Sequence, residues 1–251
     1  MFGRKGLNPS PVEVSTLEQV GAAQGHVATL EHAQVAGEFF FELLYQQMAQ
    51  AGDPVGIENF LGLLAAAGGV SCIATALCEY ETIRMRPHDP DLLFEREVGG
   101  RSYFMGDLPT RYLFEHSTSL LNIALAYAIK HGAQIEHDFL HEPIKHALNS
   151  IGTSDFGVPR LPRDHTPNAL PIELALCAWP QADHSFDAVC LAVEYRPAAL
   201  GFAIGKAIDL SAQSLDPLII AKIVVECAVP MATVDPSQFL GRLNEIRANS
   251  K

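Results

Sequence analysis

The chain has 251 residues, 48% of them apolar and 18% charged, with a formal net charge of −12 and a sequence pI of about 5.2. A chain of that size buries roughly 70–75% of the surface its unfolded form exposes, and its apolar content excludes a disordered polymer. No run of three Lys/Arg occurs, and the basic residues come at most in pairs such as Arg4-Lys5 and Arg160 with Arg163, so nucleic acid and anionic membrane surfaces are disfavoured as partners.

Residues 1–15 carry Arg4 and Lys5 with no apolar run behind them. They are expected to be a mobile N-terminal arm and not a secretory signal. Residues 16–251 are expected to form a single helical domain. Val14 to Ala51 reads mostly as helix. Ser15 or Thr16 with Glu18 offers a capping box, and Leu30, Phe39, Phe40, Leu43, Leu44 and Met48 recur near helical spacing. Gly52-Asp53-Pro54 ends this helix and starts the next, which runs to about Met85.

Within that second helix, Phe60 to Cys78 is nineteen residues without a charge. The length suits a membrane span. However, the run is rich in Gly, Ala, Ser and Thr, is bracketed by Glu58 and Glu79, and has no Lys/Arg asymmetry to orient it. A buried core helix is the expectation, because a helix apolar all round is either core or membrane. Its Ala65-Ala66-Ala67-Gly68-Gly69 patch has almost no side chain, so a neighbouring backbone should approach closely there. Arg86-Pro87-His88-Asp89-Pro90 is a loop. Leu93 to Met105 alternates and turns at Gly99-Gly100, the signature of a two-stranded hairpin that must lie on helices.

Asp107 to His146 holds five of the ten histidines. Leu108 to His131 is expected to be one long helix, with Pro109 in its first turn and Gly132 after its end, packed beside Phe60–Cys78. Arg111, Glu115, Thr118 and Asn122 fall at spacings of four, three and four and would share one face. In so apolar a setting Asn122 should be largely buried and in need of partners. The stripe has two readings: an interhelical hydrogen bond with an Arg111–Glu115 pair, or the polar wall of a pocket. His116 adjoins it, near Ser119 and Thr118, but neither an orienting carboxylate nor an oxyanion site accompanies that pair. His137, His141 and His146, among Glu136, Asp138 and Glu142, suggest a metal only if helical. Pro143 biases Glu142 away from helix and His146 is out of step, so no metal or other cofactor is expected. A short helix should cover His141 to Ile151.

Residues 151–171 contain four prolines and two glycines and form an irregular loop, a lid or strap within one domain. Its Arg160, Arg163, Asp164 and His165 could reach over a pocket mouth or be ordinary loop polarity. Ile172 to Trp179 reads as helix behind Pro171. Residues 187–196 fit strand and helix equally. Asp216 and Pro217 open an apolar helix to about Ala228, and Pro236 to Ala248 is a final amphipathic helix with Leu240, Leu243 and Ile246 inward. Gly201 to Ala207 resembles a phosphate loop but is one residue short and lacks its Ser/Thr. No G-x-S-x-G or G-x-G-x-x-G occurs. The five cysteines sit in apolar runs without C-x-x-C, which suggests reduced core thiols and a cytoplasmic protein.

The expected fold is therefore mainly α, a multi-helix globular bundle around two buried helices with one small β-hairpin. The leading functional expectation is a soluble binding or regulatory protein. It would take a small-molecule ligand at Arg111, Glu115, His116 and Asn122, and would associate as a homo-oligomer. One alternative is a metal-assisted hydrolase using the histidines of residues 116–146. A structural oligomer subunit is the other.

Overall fold

A computed structural model describes residues 29–50, 56–83 and 91–239. The expected arm, the Ser15/Thr16 capping box, the Gly52-Asp53-Pro54 stop, the loop at residues 86–90 and the terminal helix beyond residue 239 lie outside them.

The first described helix, α1 (Leu30–Gln50), opens with the Thr29 hydroxyl accepting from the His32 N–H at 3.2 Å. Ala33, Ala36, Phe40, Phe41 and Leu44 form its buried face at the three-four spacing of an amphipathic helix. The next, α2 (Ile57–Ile83), has no such face: every residue from Phe60 to Ile73 is buried. It is the one helix among the described residues that is long and apolar enough to cross a membrane, and the rest of the fold encloses it. β1 (Phe94–Val98) and β2 (Arg101–Met105) form the predicted hairpin, with Phe94 opposite Met105 and Val98 opposite Arg101. Gly99 and Gly100 both take positive φ, 60° and 76°, as its two-residue turn requires.

The segment read as one helix from Leu108 to His131 is two. A single turn, α3 (Asp107–Thr110), runs into a π-turn at Arg111–Glu115, closed by the His116 N–H donating to the Arg111 carbonyl at 3.1 Å. His116 is then extended, and α4 (Leu120–Lys130) begins after Ser119. The polar run His-Ser-Thr-Ser makes the break, because such side chains offer the backbone local partners in place of the helix. The His116 ring pairs with the Thr118 hydroxyl at 2.7 Å. The Asn122 amide donates to the carbonyls of Phe114 (2.9 Å) and His116 (2.8 Å), the latter also accepting from the Ser119 N–H at 2.9 Å.

α5 (His141–Ser150) lies where expected. α6 (Pro171–Ala188) runs nine residues beyond the expected Trp179, through Pro180. The lost hydrogen bond is outweighed there by full burial of Ala182 and Phe186, the latter ring 5.7 Å from that of Phe40. Residues 187–196 are neither the strand nor the helix weighed for them. α6 ends, Cys190 turns the chain at φ 52°, and a short 3-10 turn leads to α7 (Arg196–Ser211). Arg196 ties the junction by donating to Asp183 at 2.6 Å and to Asp187. The glycines of the rejected phosphate loop are buried inside α7, where Gly201 faces Ile123 and Gly205 faces the Tyr127 ring of α4. α8 (Pro217–Met231) is capped by Asp216, which accepts from the Leu218 N–H at 2.7 Å.

α2 packs most extensively against α8, α6 and α7. The helix expected beside it, α4, lies mainly on α7 and meets α2 over a short stretch where Leu120 faces Gly68. Gly69 instead faces the backbone of α8 at Ala228. The proline-rich loop is tied down at several points. The Arg160 backbone N–H and guanidinium both donate at 3.2 Å to Glu226, a carboxylate buried on α8. His165 meets Glu58 at 3.2 Å, and the Asn168 N–H donates to Asn59 at 2.6 Å. Two cysteines, Cys72 and Cys227, are buried, whereas Cys78, Cys177 and Cys190 are exposed, which corrects the reading of five core thiols.

Candidate functional site

A groove of about 320 Å³ opens where the hairpin, the α3 turn, α5 and the C-terminal end of α8 meet. The sequence builds each wall locally. Phe94, Phe104 and Met105 come from the open end of the hairpin. That end is fixed because β2 is paired on its other edge with the chain leaving α8. The Phe104 N–H donates to the Thr233 carbonyl at 2.7 Å, and Tyr103 bridges to Val234. A lone hairpin is marginal, and this third partner is what holds it. Gly106, at φ 136°, then turns the chain sharply into α3. A Cβ there would lie 2.6 Å from the Leu92 carbonyl oxygen, so the corner requires glycine. Pro109, Leu113 and Phe114 follow along α3 and the π-turn, and Ile144, Ala147 and Leu148 face them from α5. Val229, Ala232 and Thr233 complete the wall at the end of α8.

The groove is predominantly apolar. Phe94 and Leu148 remain 48% and 41% exposed at it. Its polar groups are few: Asp107, Thr110 and Thr233. The Thr110 hydroxyl donates to the Gly106 carbonyl at 2.6 Å and the Thr233 hydroxyl to the Pro230 carbonyl at 2.8 Å. A few polar groups on an apolar concave wall is the usual composition of a small-molecule site. The π-turn in the wall is a feature often found where helices carry function.

The four residues expected to line a pocket lie just outside it. Arg111 is paired with Glu79 of α2 at 3.0 Å and not with Glu115. Glu79 also accepts from the Tyr112 hydroxyl at 2.6 Å, and burial together with that carboxylate pushes the phenol above its ordinary range. Glu115 and His116 are exposed on the break. Asn122 is exposed as well, contrary to its expected burial, and serves the two carbonyls named above. The stripe is thus divided between two helices, and none of its members is in the groove wall.

His137 and His141 are exposed, and His141 lies 3.7 Å from Glu142. Among the described residues no group of three His, Cys, Asp or Glu side chains is placed to hold a metal ion. The His146 Nε2 is buried without a partner among the described residues, beside a recess of about 10 Å³ that Glu226 also borders. That volume is about one water sphere. Arg160 of the proline-rich loop is engaged with Glu226 and His165 with Glu58, so both serve as ties of that loop.

The groove residues were missed because each looks like ordinary core in sequence. Phe104 and Phe94 belong to a hairpin, and Leu113 and Val229 to apolar runs. Only the three-dimensional meeting of four segments leaves them uncovered. Neither a known protein family, nor a curated protein, nor a solved structure matches this chain.

Proposed function

We propose that the protein is a binding protein whose groove between the hairpin, α3, α5 and α8 takes a small, mainly apolar ligand. The carrying observation is the groove itself: about 320 Å³, apolar, with Phe94 and Leu148 left uncovered. The volume lies at the lower end of ligand sites. It suits a short aliphatic chain or an aromatic body of up to three rings.

Burying eight methylenes would contribute up to about 6 kcal/mol at ~0.8 kcal/mol each. That gross figure alone corresponds to a dissociation constant of tens of micromolar, and loss of translational and rotational freedom offsets part of it, so dissociation constants of about a millimolar are expected. Titration with the neutral fluorophore N-phenyl-1-naphthylamine should give saturable one-to-one enhancement. Ile144→Trp, on the half-buried face of α5, fills the groove and should weaken that binding at least tenfold while leaving the far-ultraviolet circular dichroism unchanged. Binding that does not saturate, or that ignores Ile144→Trp, would refute the reading.

A further inference from the structure

We infer that the groove selects ligands whose polar end is a cationic hydrogen-bond donor, an amine on an apolar body, over carboxylates and phosphate esters. This deepens the reading above and rests on it.

The argument is an inventory of donors. Among the described residues, no Lys, Arg, His, Asn, Gln, Trp or Tyr side chain lines the groove. Its two hydroxyls have each spent their single proton on a backbone carbonyl, Thr110 on Gly106 and Thr233 on Pro230. What remains at both oxygens is acceptor capacity. The backbone N–H groups of Phe104, Asp107, Thr110, Ile144, Ala232 and Thr233 are engaged in hydrogen bonds as well, which leaves the Gly106 N–H as the one backbone donor of the irregular wall without a backbone partner among the described residues. The one charged residue of the wall is the acid Asp107.

An anionic head entering this groove would give up its water and find, among the described residues, at most the Gly106 N–H and no counter-charge, which is the costly way to bury a charged group. An ammonium group would bring its own donors and positive charge to a wall whose described side chains offer only acceptors: Asp107 and the threonine oxygens. Charge-assisted hydrogen bonds of that kind are among the strong ones. Specificity of this sort arises as much from what the site rejects as from what it holds.

The test is displacement of N-phenyl-1-naphthylamine by octylamine, 1-octanol and octanoate at pH 7 and 0.15 M salt, all below micelle formation. Octylamine is expected to displace the probe at a concentration at least tenfold lower than octanoate, with octanol between them. Asp107→Asn should shrink the octylamine-over-octanol preference at least fivefold. Glu42→Gln removes the same charge from an exposed position on α1, which contributes nothing to the groove, and should leave the preference intact. Octanoate displacing as well as octylamine would overturn the inference while the groove stands as a site. Glu42→Gln acting as strongly as Asp107→Asn would also overturn it, by assigning the preference to the net charge of −12. A probe that fails to bind at all would remove the groove reading and this inference together.

Discussion

Replacing Gly69 by alanine tests the packing on which the architecture turns. In a free helix Gly→Ala stabilises by about 1 kcal/mol. Here the added Cβ would sit 2.9 Å from the Met231 Cβ and 3.0 Å from the Ala228 carbonyl carbon, and inside contact distance of the Ala228 oxygen. Relief requires α2 and α8 to part by about 0.5–1 Å, since carbon atoms pack at roughly 3.5–4.0 Å. A gap of that size forfeits a quarter to a half of each dispersion contact across the interface, and over-packed cores generally lose about 1–3 kcal/mol. With the propensity gain set against the upper part of that range, Gly69→Ala should destabilise by about 2 kcal/mol.

Gly68 is the control. The atoms nearest its Cβ would all belong to the Leu120 side chain, with the two methyl carbons at 2.7 and 2.9 Å, and a side-chain end can rotate where a backbone carbonyl cannot. Gly68→Ala should therefore lie within about 1 kcal/mol of the wild type. Urea unfolding followed by ellipticity at 222 nm, and by the fluorescence of Trp179, buried on α6, measures both. If Gly69→Ala unfolds at or above the urea midpoint of Gly68→Ala, the close approach of α2 to α8 is wrong.

Two further outcomes are expected. Burial pushes the Cys72 and Cys227 thiols well above their ordinary range, whereas Cys78, Cys177 and Cys190 are exposed. A thiolate-selective reagent should therefore label three cysteines quickly in the native protein and all five after denaturation, as read by mass spectrometry; fast native labelling of Cys72 or Cys227 would contradict the core. Burial by itself would raise the Asp209 carboxyl, but hydrogen bonds from His131 (2.6 Å) and Lys130 (3.1 Å) outweigh it and hold the group below its usual value. A depressed carboxylate stabilises the fold above its unfolded pKa of about 4 and loses that contribution as pH falls through the folded value. Asp209→Asn should thus be less stable than the wild type at pH 7, by under about 1 kcal/mol for so exposed a pair, with the gap in urea midpoints closing below about pH 4. A gap constant down to pH 3 would show that the pairing has no such effect.

The sequence was most informative where a local rule has no competitor. The Gly99-Gly100 turn could scarcely be anything else between alternating strands, and Pro171, Pro217 and Asp216 mark helix starts by stereochemistry that tertiary packing does not alter. The helical content and the fully enclosed α2 were legible for the same reason. The break at residues 116–119 was not. Leu113, Leu120, Leu121 and Ala124 keep an acceptable helical phase across it, so the hydrophobic pattern reads through the interruption. The signal was polar and local: His116, Thr118 and Asn122 prefer one another and the nearby carbonyls to an unbroken helix.

Pro180 misled in the opposite direction, because burial of Ala182 and Phe186 carries α6 past it. α7 was hidden by its glycines, which look like loop formers until Tyr127 and Ile123 are seen against them. The stripe at Arg111, Glu115, His116 and Asn122 borders a groove whose walls come from distant positions.

The pairing of β2 with residues 233–235 has a consequence for biogenesis. Tyr103 and Val234 lie about half the chain's length apart, so the outer edge of the hairpin stays bare on the ribosome until α8 has emerged. Contacts of such long sequence separation form late, and an unsheltered strand invites partners from other chains. The groove, whose walls include both sides of that seam, is thus a late product of synthesis, and nascent chains stalled before residue 233 would present the aggregation-prone form of this protein.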